Sequence, residues 1–600
     1  MLATESAKPM SVIPEKLRGH LQPLALLVIL TVLMTFPTVV YVFNTEVFWL
    51  PTGDHSDAWM KFWDAWYGWR VLAGEADIRH TDLLFYPQGV SLTFHHFSMP
   101  HMLLFGGLQR FLPISNAFNQ VFLLSIYTVS LSAYLYLQYL FKDKWIALLG
   151  AVISGMSPFV IGHPQHPDIG FIATIPLSIY LLHRGVKERR NSLVLASAIL
   201  TGCTVYISLY IFVCLSLLIF MCMVYFLAVN RQDRSFLVSA ALFVLLVAVT
   251  ALPRLYPMIH GDAALADALQ KTHGPGRGSD LYEYFVNLRQ PVLAPVFRQI
   301  FQLRDESLIF FNTSYLGYTV LFLIAIGLIR PRNRRQMIPW LILVCPFVLL
   351  RLGSFLSIGG RQYTNLPLPK GLLDSLLPGI FQGFHTSDHF QMGVVFPLAV
   401  LACYGALTVI QGLPARRQQT VLALCIALIA FEYFQPVEER IIPDEQLAFM
   451  EVLKEEPAPV RIINAPLGRG NSKYYLFYQA LSGFPQAEGM ISRTPPSAYN
   501  TIRSNRILNQ WLLNRDVICI DDDLNGFGLA VEDYLAAIDQ LEADGFSHVV
   551  FHRNLGHGFS IRKSFYAAEP MYSDEYVSIY RLDDLRKSCQ VGIKWWAQAG

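Results

Sequence analysis

The sequence predicts an α-helical polytopic membrane protein with about eleven spans and a C-terminal α/β domain outside the membrane. Hydrophobic residues make up 53% of the 600 residues and charged residues only 15%, whereas average soluble chains are roughly a quarter charged. Long apolar runs recur between residues 21 and 435, and residues 436–600 return to a soluble composition. Because so much apolar surface cannot fit inside soluble cores, we expect most of it to face lipid.

The apolar runs approach the length of about 20 residues that a helix needs to cross a bilayer. The run 192–229 is too long for one span, and a tight turn at Ser208–Tyr210 divides it. The predicted spans are 21–43, 117–141, 145–162, 169–183, 192–209, 210–229, 235–258, 314–330, 337–356, 391–411 and 419–435.

The basic residues predict the orientation, because cytoplasmic loops carry an excess of Lys and Arg. With residues 1–20 as a cytoplasmic tail, every short basic loop lies on the cytoplasmic side. The loops 44–116, 259–313 and 357–390 and the segment 436–600 then lie outside. The formal net charge of +2 gives no electrostatic case for nucleic-acid binding.

Residues 436–600 show the alternating pattern of a small α/β domain. The predicted strands are Val460–Asn464, Val517–Ile520, His548–Phe551 and Val577–Arg581. The stretch Glu532–Asp544 has helical spacing and is stopped by Gly545. Cys519 and Cys589 either pair in an oxidising compartment or remain two buried thiols.

The first outer loop combines tryptophans with two carboxylates. Trp59, Trp63, Trp66 and Trp69 share one helical face, which predicts a helix lying at the membrane interface. Asp54 and Asp57 stand just before that helix. Each is either a helix N-cap or a catalytic base.

Two further outer segments carry candidate ligands. His163, His166 and Asp168 have metal-ligand side chains, so they either bind a divalent metal ion or are polar groups on the membrane rim. Arg254 ends a span and either extends to lipid headgroups or binds a lipid phosphate, with Lys271 behind it. The polar cluster His385–His389 has no role that we can assign.

This layout resembles the GT-C superfamily of membrane glycosyltransferases. The shared features are one span after a cytoplasmic N-terminus, an acidic residue early in a long outer loop, and a short acidic loop between the third and fourth spans. A large outer loop after the seventh span and an external C-terminal domain complete the pattern. The residues Gly53-Asp54, Trp59, Trp66 and Leu84-Phe85-Tyr86-Pro87-Gln88-Gly89 look like a bacterial group of predicted glycosyltransferases within it.

The resemblance implies a bacterial inner-membrane enzyme that takes a sugar from a polyprenyl-phosphate donor. The acceptor is a glycan, a lipid or a protein. By position, Asp54 is the first candidate for the general base, Asp57 the second, and Asp168 the supporting acid. Arg254 and Lys271 are then the candidates for binding the lipid phosphate. The chain departs from several GT-C branches because His55 and Ser56 separate its two acids.

Two other classes of function remain open from the sequence. One is a transporter or flippase of a lipid-linked or envelope precursor, but transporters place their polar groups near the bilayer midplane, whereas these collect in outer loops. The other is a non-catalytic protein built on the same scaffold.

Overall fold

The computed structural model describes most of the chain. The described residues are 15–44, 48–50, 57–164, 166, 168–229, 234–260, 278–302, 313–377, 381, 387–436, 440–520, 528–553, 555 and 558–589. Each predicted span coincides with a helix. These helices are Glu15–Met34 with Thr38–Val42, Ile114–Phe141, Lys144–Gly155 with Pro158–Ile161, Thr174–Lys187, Asn191–Cys203, Leu209–Val229, Arg234–Ile259, Tyr318–Ile329, Pro331–Arg351, Met392–Ile410 and Ala415–Tyr433.

Within the described residues, five helical segments are long and apolar enough to cross a membrane by length and composition. They are Ile114–Phe141, Ile169–Lys187, Leu209–Val229, Arg234–Ile259 and Ser387–Ile410. The predicted division of the run 192–229 is confirmed, because one helix ends at Cys203, a 3-10 turn follows at Thr204–Tyr206, and the next helix begins at Leu209.

The helices differ in how much of their surface the protein covers. Met392–Ile410 is buried along nearly its whole length and forms the centre of the apolar core. Arg234–Ile259 instead leaves Val238, Val244 and Val249 exposed. We expect such an exposed apolar face to contact lipid rather than water.

The C-terminal region is a mixed α/β unit. Its four-stranded sheet runs in the order Tyr572–Ser573, Val577–Arg581, His548–His552 and Ile462–Ala465, and only the last pair is parallel. All four strand predictions are confirmed to within two residues, with Ile518–Ile520 as the fourth, which pairs with Gly528–Ala530.

The predicted helix of this region is also confirmed. It spans Val531–Ala543 and buries Ile538 and Leu541. Gly545 follows with a φ of +89°, a backbone conformation that favours glycine, so the helix stops there. Cys519 and Cys589 form a disulfide with their Cα atoms 5.2 Å apart, which settles the two readings of these cysteines in favour of pairing.

The shorter elements lie in the outer loops and the C-terminal region. The helices are Ala58–Leu72, Met99–Leu108, Ala294–Ile300, Pro369–Leu376, Ala448–Glu455, Ser472–Ser482, Asn500–Ser504 and Arg506–Leu512. The paired strands are Phe48–Leu50 with Arg440–Ile442, His80–Thr81 with Val90–Ser91, and Phe355–Ile358 with Arg361–Pro367.

The first outer loop and the C-terminal region share one apolar core. Its main contact joins two helices, which we call the aromatic helix (Ala58–Leu72) and the lysine helix (Ser472–Ser482). The Trp59 ring lies 4.5 Å from that of Tyr474, and Trp63 Nε1 donates to Gln479 Oε1 at 2.7 Å.

The predicted interfacial position is therefore wrong for Trp59 and Trp63. Both side chains are fully buried, because the lysine helix covers them with apolar surface, and it also gives Trp63 the hydrogen-bond acceptor that the membrane interface was expected to supply.

The Leu84–Gly89 stretch docks onto the C-terminal region rather than onto the carboxylates. The Gln88 amide donates to the carbonyls of Ser497 and Ala498, and the Tyr86 backbone N–H donates to Gln486 O. These bonds fix the loop that leads to His95.

Candidate functional site

The carboxylates and histidines of several distant segments gather where the helix ends meet the C-terminal region. The contributing segments are the start of the aromatic helix, residues 95–96, residues 163–168, residues 388–389 and the start of the lysine helix. Asp57 and Asp168, predicted from separate loops, approach the same imidazole in this cluster, that of His166.

Asp57 stands at the N-cap position of the aromatic helix but its side chain makes no capping hydrogen bond. Its Oδ1 lies 2.5 Å from Lys473 Nζ and its Oδ2 lies 3.4 Å from His166 Nε2. Burial raises the pKa of Asp57, but the pairing with His166 and Lys473 outweighs it and holds the pKa well below the usual range. The contacts argue against the capping role of Asp57, and its role as a catalytic base stays a prediction.

A second ion-pair group lies deeper along the same helix. Lys61 Nζ lies 3.2 Å from Asp64 Oδ2, and both side chains are buried. Burial raises the pKa of Asp64, but His95 and Lys61 together outweigh it and lower the pKa. Burial lowers the pKa of Lys61, but the surrounding carboxylates, Asp168 first, outweigh it and raise the pKa. The pair is therefore ionised.

The tautomer of His95 follows from its hydrogen bonds. The backbone N–H of Ser492 donates to His95 Nδ1 at 3.0 Å, so that nitrogen carries no proton. The proton is then on Nε2, which donates to Asp64 Oδ1 at 2.7 Å. The C-terminal region thus orients a histidine of the first outer loop.

Asp168 bridges the two groups. Its Oδ2 lies 3.2 Å from His96 Nε2, and its Oδ1 lies 3.9 Å from His166 Nδ1. Burial raises the pKa of Asp168, but Lys61, His96 and His166 outweigh it and hold the pKa well below the usual range. Its Oδ1 is buried and accepts no hydrogen bond.

His163, His166 and Asp168 do not converge as the predicted metal triad. His163 Nδ1 donates to Phe159 O at 2.6 Å and its Nε2 lies 3.4 Å from Asp388 Oδ2, while His166 faces Asp57. Across the described residues, no group of three or more His, Cys, Asp or Glu side chains is arranged to hold a metal ion. The loop spreads the three side chains toward different partners.

One of the two cationic candidates has contacts in the described structure. Arg254 donates to the carbonyls of Thr93 at 3.0 Å and His95 at 2.6 Å, so its guanidinium holds the loop that carries the histidines, and its binding of a lipid phosphate stays a prediction. Asp54 and Lys271 lie outside the described residues.

Sequence reasoning missed six members of the cluster: Lys61, Asp64, His95, His96, Asp388 and Lys473. Two signals were available. A Lys and an Asp three residues apart in the middle of an aromatic helix indicate a buried ion pair, and adjacent histidines in a loop already rich in carboxylates indicate a polar site. Lys473 carries no local signal.

The arrangement can accept a proton at one open carboxylate and can bind an anion at the neighbouring ammonium. Asp57 is held ionised and its side chain is 31% exposed, so an incoming hydroxyl can reach it. The buried pairs behind it fix the geometry of the two loops.

The fold is similar to that of known membrane transferases, and the likeness concerns the fold alone. The archaeal oligosaccharyltransferase AglB from Archaeoglobus fulgidus, solved with an inhibitory peptide and a dolichol-phosphate, matches with a TM-score of 0.43 and 12% identity, over 89% of this chain and 69% of that one. ArnT from Cupriavidus metallidurans bound to undecaprenyl phosphate matches with a TM-score of 0.42 and 11% identity, over 94% and 97%. Apo ArnT gives 0.39 at 11% identity, over 94% and 98%.

No curated protein sequence matches the chain. One family model does, and it covers residues 25–432, which include all of the predicted spans except the first four residues of the first and the last three of the last, and the loops that carry Asp57 and Asp168. The chain belongs to this family, which is described as a domain of unknown function, DUF6311.

Proposed function

We propose that the protein is a membrane glycosyltransferase that moves a sugar from a polyprenyl-phosphate donor to an acceptor at the outer face of the membrane. The observation that carries the proposal is the position of Asp57, an ionised carboxylate that is partly open, lies beside a lysine, and contacts His166 in the loop between two predicted spans. The donor class follows from the GT-C resemblance of the sequence.

The reaction needs one proton acceptor and one stabilised leaving group. Asp57 takes the proton of the acceptor hydroxyl as its oxygen attacks C1 of the sugar. The bond from C1 to the phosphate oxygen breaks in the same displacement, so the anomeric configuration inverts. The negative charge that develops on the lipid phosphate calls for a cation nearby.

The buried groups support this chemistry without entering it. Asp168 and His166 hold the second outer loop against Asp57, while Arg254 and Asp64 hold the loop of His95. A carboxylate that is fixed by such neighbours keeps its position for the attacking hydroxyl.

The proposal is tested by incubating the purified protein with a panel of polyprenyl-phosphate sugars and measuring sugar transfer or hydrolysis. Asp57→Asn should lower turnover by about 10²–10⁴, the usual cost of losing a general base, while the protein stays folded because Asn suits a helix start as well as Asp. The matched control is Asp82→Asn, an exposed carboxylate of the same loop that pairs with His80. Full activity in Asp57→Asn would refute the role of Asp57.

The orientation is part of the proposal and has its own test. With the N-terminus in the cytoplasm, a membrane-impermeant maleimide added to intact cells should label Ser573→Cys and leave Arg332→Cys unlabelled, relative to the unsubstituted chain. Both side chains are exposed, so access depends on the side of the membrane alone. The reverse labelling pattern would place the site in the cytoplasm.

A further inference from the structure

Two ion pairs of the aromatic helix differ in how far their side chains are exposed to solvent. The side chains of Lys61 and Asp64 are 4% and 3% exposed, whereas those of Asp57 and Lys473 are 31% and 16% exposed. A ligand head group that enters the site therefore meets Lys473 and Asp57 and does not reach Lys61.

The packing of the two helices fixes where Lys473 stands. Besides the contact of Tyr474 with Trp59, the Phe477 ring lies 5.1 Å from Trp59 and 5.3 Å from Phe62. Lys473 lies in the first turn of the lysine helix, directly before these anchors. Its backbone is thus held in place, and its four-carbon stem can still move the ammonium between two oxygens that are a few ångströms apart.

In the described structure the ion pair with Lys473 makes Asp57 a weaker base. Lys473 and His166 each contact one oxygen of Asp57, and Lys61 adds a positive charge from within the aromatic helix. Burial raises the pKa of Asp57, but the contacts with His166 and Lys473 outweigh this effect and lower the pKa. The phosphodiester of the donor carries one negative charge, as a carboxylate does, and further negative charge develops on it as the bond to C1 breaks, so it competes with Asp57 for Lys473.

We propose that Lys473, supplied by the C-terminal region, binds the phosphate of the lipid-linked donor and in doing so releases Asp57 for proton transfer. The proposal rests on the proposed function, because it assigns that reaction's donor-binding residue. It also makes the C-terminal region part of the site, because that region supplies Lys473.

The chemistry balances within the proposed displacement. Donor binding moves Lys473 from Asp57 to the phosphate, and Asp57 becomes a stronger base. The acceptor hydroxyl gives its proton to Asp57, its oxygen forms the new bond to C1, and the electron pair of the old bond leaves with the polyprenyl phosphate. Lys473 stabilises that leaving anion, and it returns to Asp57 when the anion departs and Asp57 has lost its proton to water.

The direct test measures binding of a polyprenyl monophosphate to the full-length protein in detergent, with no sugar transfer involved. Lys473→Gln should raise the Kd by roughly 10- to 100-fold, the effect of losing one charge-assisted hydrogen bond. Lys473→Arg keeps the charge and should restore most of the affinity. The matched control is Lys454→Gln, an exposed lysine of the same region that pairs with Glu451, and it should bind like the wild type.

Two further ligands show whether the change in Kd comes from the phosphate or from the lipid chain. Unphosphorylated polyprenol should bind equally to wild type and Lys473→Gln, and inorganic phosphate should compete with the lipid phosphate in the wild type only. An equal loss of polyprenol binding would overturn the proposal, since Lys473 would then shape the lipid groove. Unchanged binding of the lipid phosphate would also overturn it, while leaving the transferase proposal standing.

The pH profile separates a charge effect from a structural one. Removing the cation raises the pKa of Asp57, so the acid limb of kcat/KM in Lys473→Gln should move to higher pH, whereas His166 and Lys61 still lower that pKa and the carboxylate of Asp168 opposes them. An unmoved acid limb would overturn the coupling. If the lipid phosphate binds through Lys473 but no sugar is transferred, the transferase proposal fails and the phosphate site survives.

Discussion

The start and the middle of the aromatic helix present the same three residue types in different surroundings. At the start, Asp57 contacts a lysine and a histidine, and two turns later Asp64 does so as well; we call these two groups the open end and the sealed end. The second group is sealed, with a neutral histidine donating to a buried carboxylate, while the first stands partly open. Residue type therefore does not separate structural ion pairs from functional ones, but exposure does.

The physical reason is the surroundings of each charge. A buried ion pair has lost its hydration and must keep its partner, so Asp64 and Lys61 cannot exchange partners without a large cost. A partly exposed pair can trade its partner for water or a ligand at little cost. Of the two groups, that of Asp57 and Lys473 meets the second condition and that of Asp64 and Lys61 does not.

The largest expected effect is on stability at the sealed end. Asp64→Asn leaves the buried Lys61 short of a counter-charge, so it should lower the free energy of unfolding by roughly 3–5 kcal/mol. Asp57→Asn, at the open end, should change it by no more than about 1 kcal/mol. Chemical unfolding in detergent measures both variants.

A second substitution isolates the charge as the cause. Adding Lys61→Met to Asp64→Asn removes the stranded cation and should recover part of the loss. Equal stability of the two single variants would mean that the sealed and open ends do not differ as described.

The next effect concerns the loop that closes the sealed end. Arg254→Gln removes two hydrogen bonds from a cation to the carbonyls of Thr93 and His95, each worth roughly 1.5–3 kcal/mol. Unfolding should become easier, while the Kd of a polyprenyl monophosphate stays unchanged. A weaker Kd with normal stability would return Arg254 to the phosphate-binding role that its position in the sequence suggests.

The sequence predicts the elements of this protein better than it predicts the site. Spans, strands and the helix ended by Gly545 follow from local patterns, because apolar length and periodicity act over neighbouring residues. The sequence predicts Asp57 and Asp168 as candidates because each lies in a loop that borders a predicted span. Lys473 could not be predicted, since it reaches Asp57 through a contact between segments more than four hundred residues apart.

The tryptophans show the same limit. Their spacing correctly predicts one helical face, but the partner of that face is a matter of tertiary structure. The membrane interface and a helix such as Ser472–Ser482 both offer apolar surface with polar groups beside it. The spacing of Trp59 and Trp63 therefore fits either partner. The docking of Leu84–Gly89 was missed for the same reason.

The last expected effect is the response of these stabilities to acid and salt. The folded-state pKa values of Asp57 and Asp64 both lie below the ordinary value. Each carboxylate therefore stabilises the fold above its unfolded pKa of about 4, and this contribution is lost as the pH falls through the folded-state pKa. As the pH falls, the free energy of unfolding of the wild type should decrease more steeply than that of either Asn variant. The difference in unfolding free energy between the wild type and each variant should vanish at the lowest pH.

Salt distinguishes the two ends within that experiment. Screening acts over roughly 10 Å at 0.1 M salt and roughly 3 Å at 1 M, and it acts on exposed charges far more than on buried ones. Added salt should thus shrink the acid-dependent difference between wild type and Asp57→Asn but leave that of Asp64→Asn nearly unchanged. If salt reduced both differences equally, Asp64 would have to be open to solvent in solution, and the distinction between a sealed and an open group would fail.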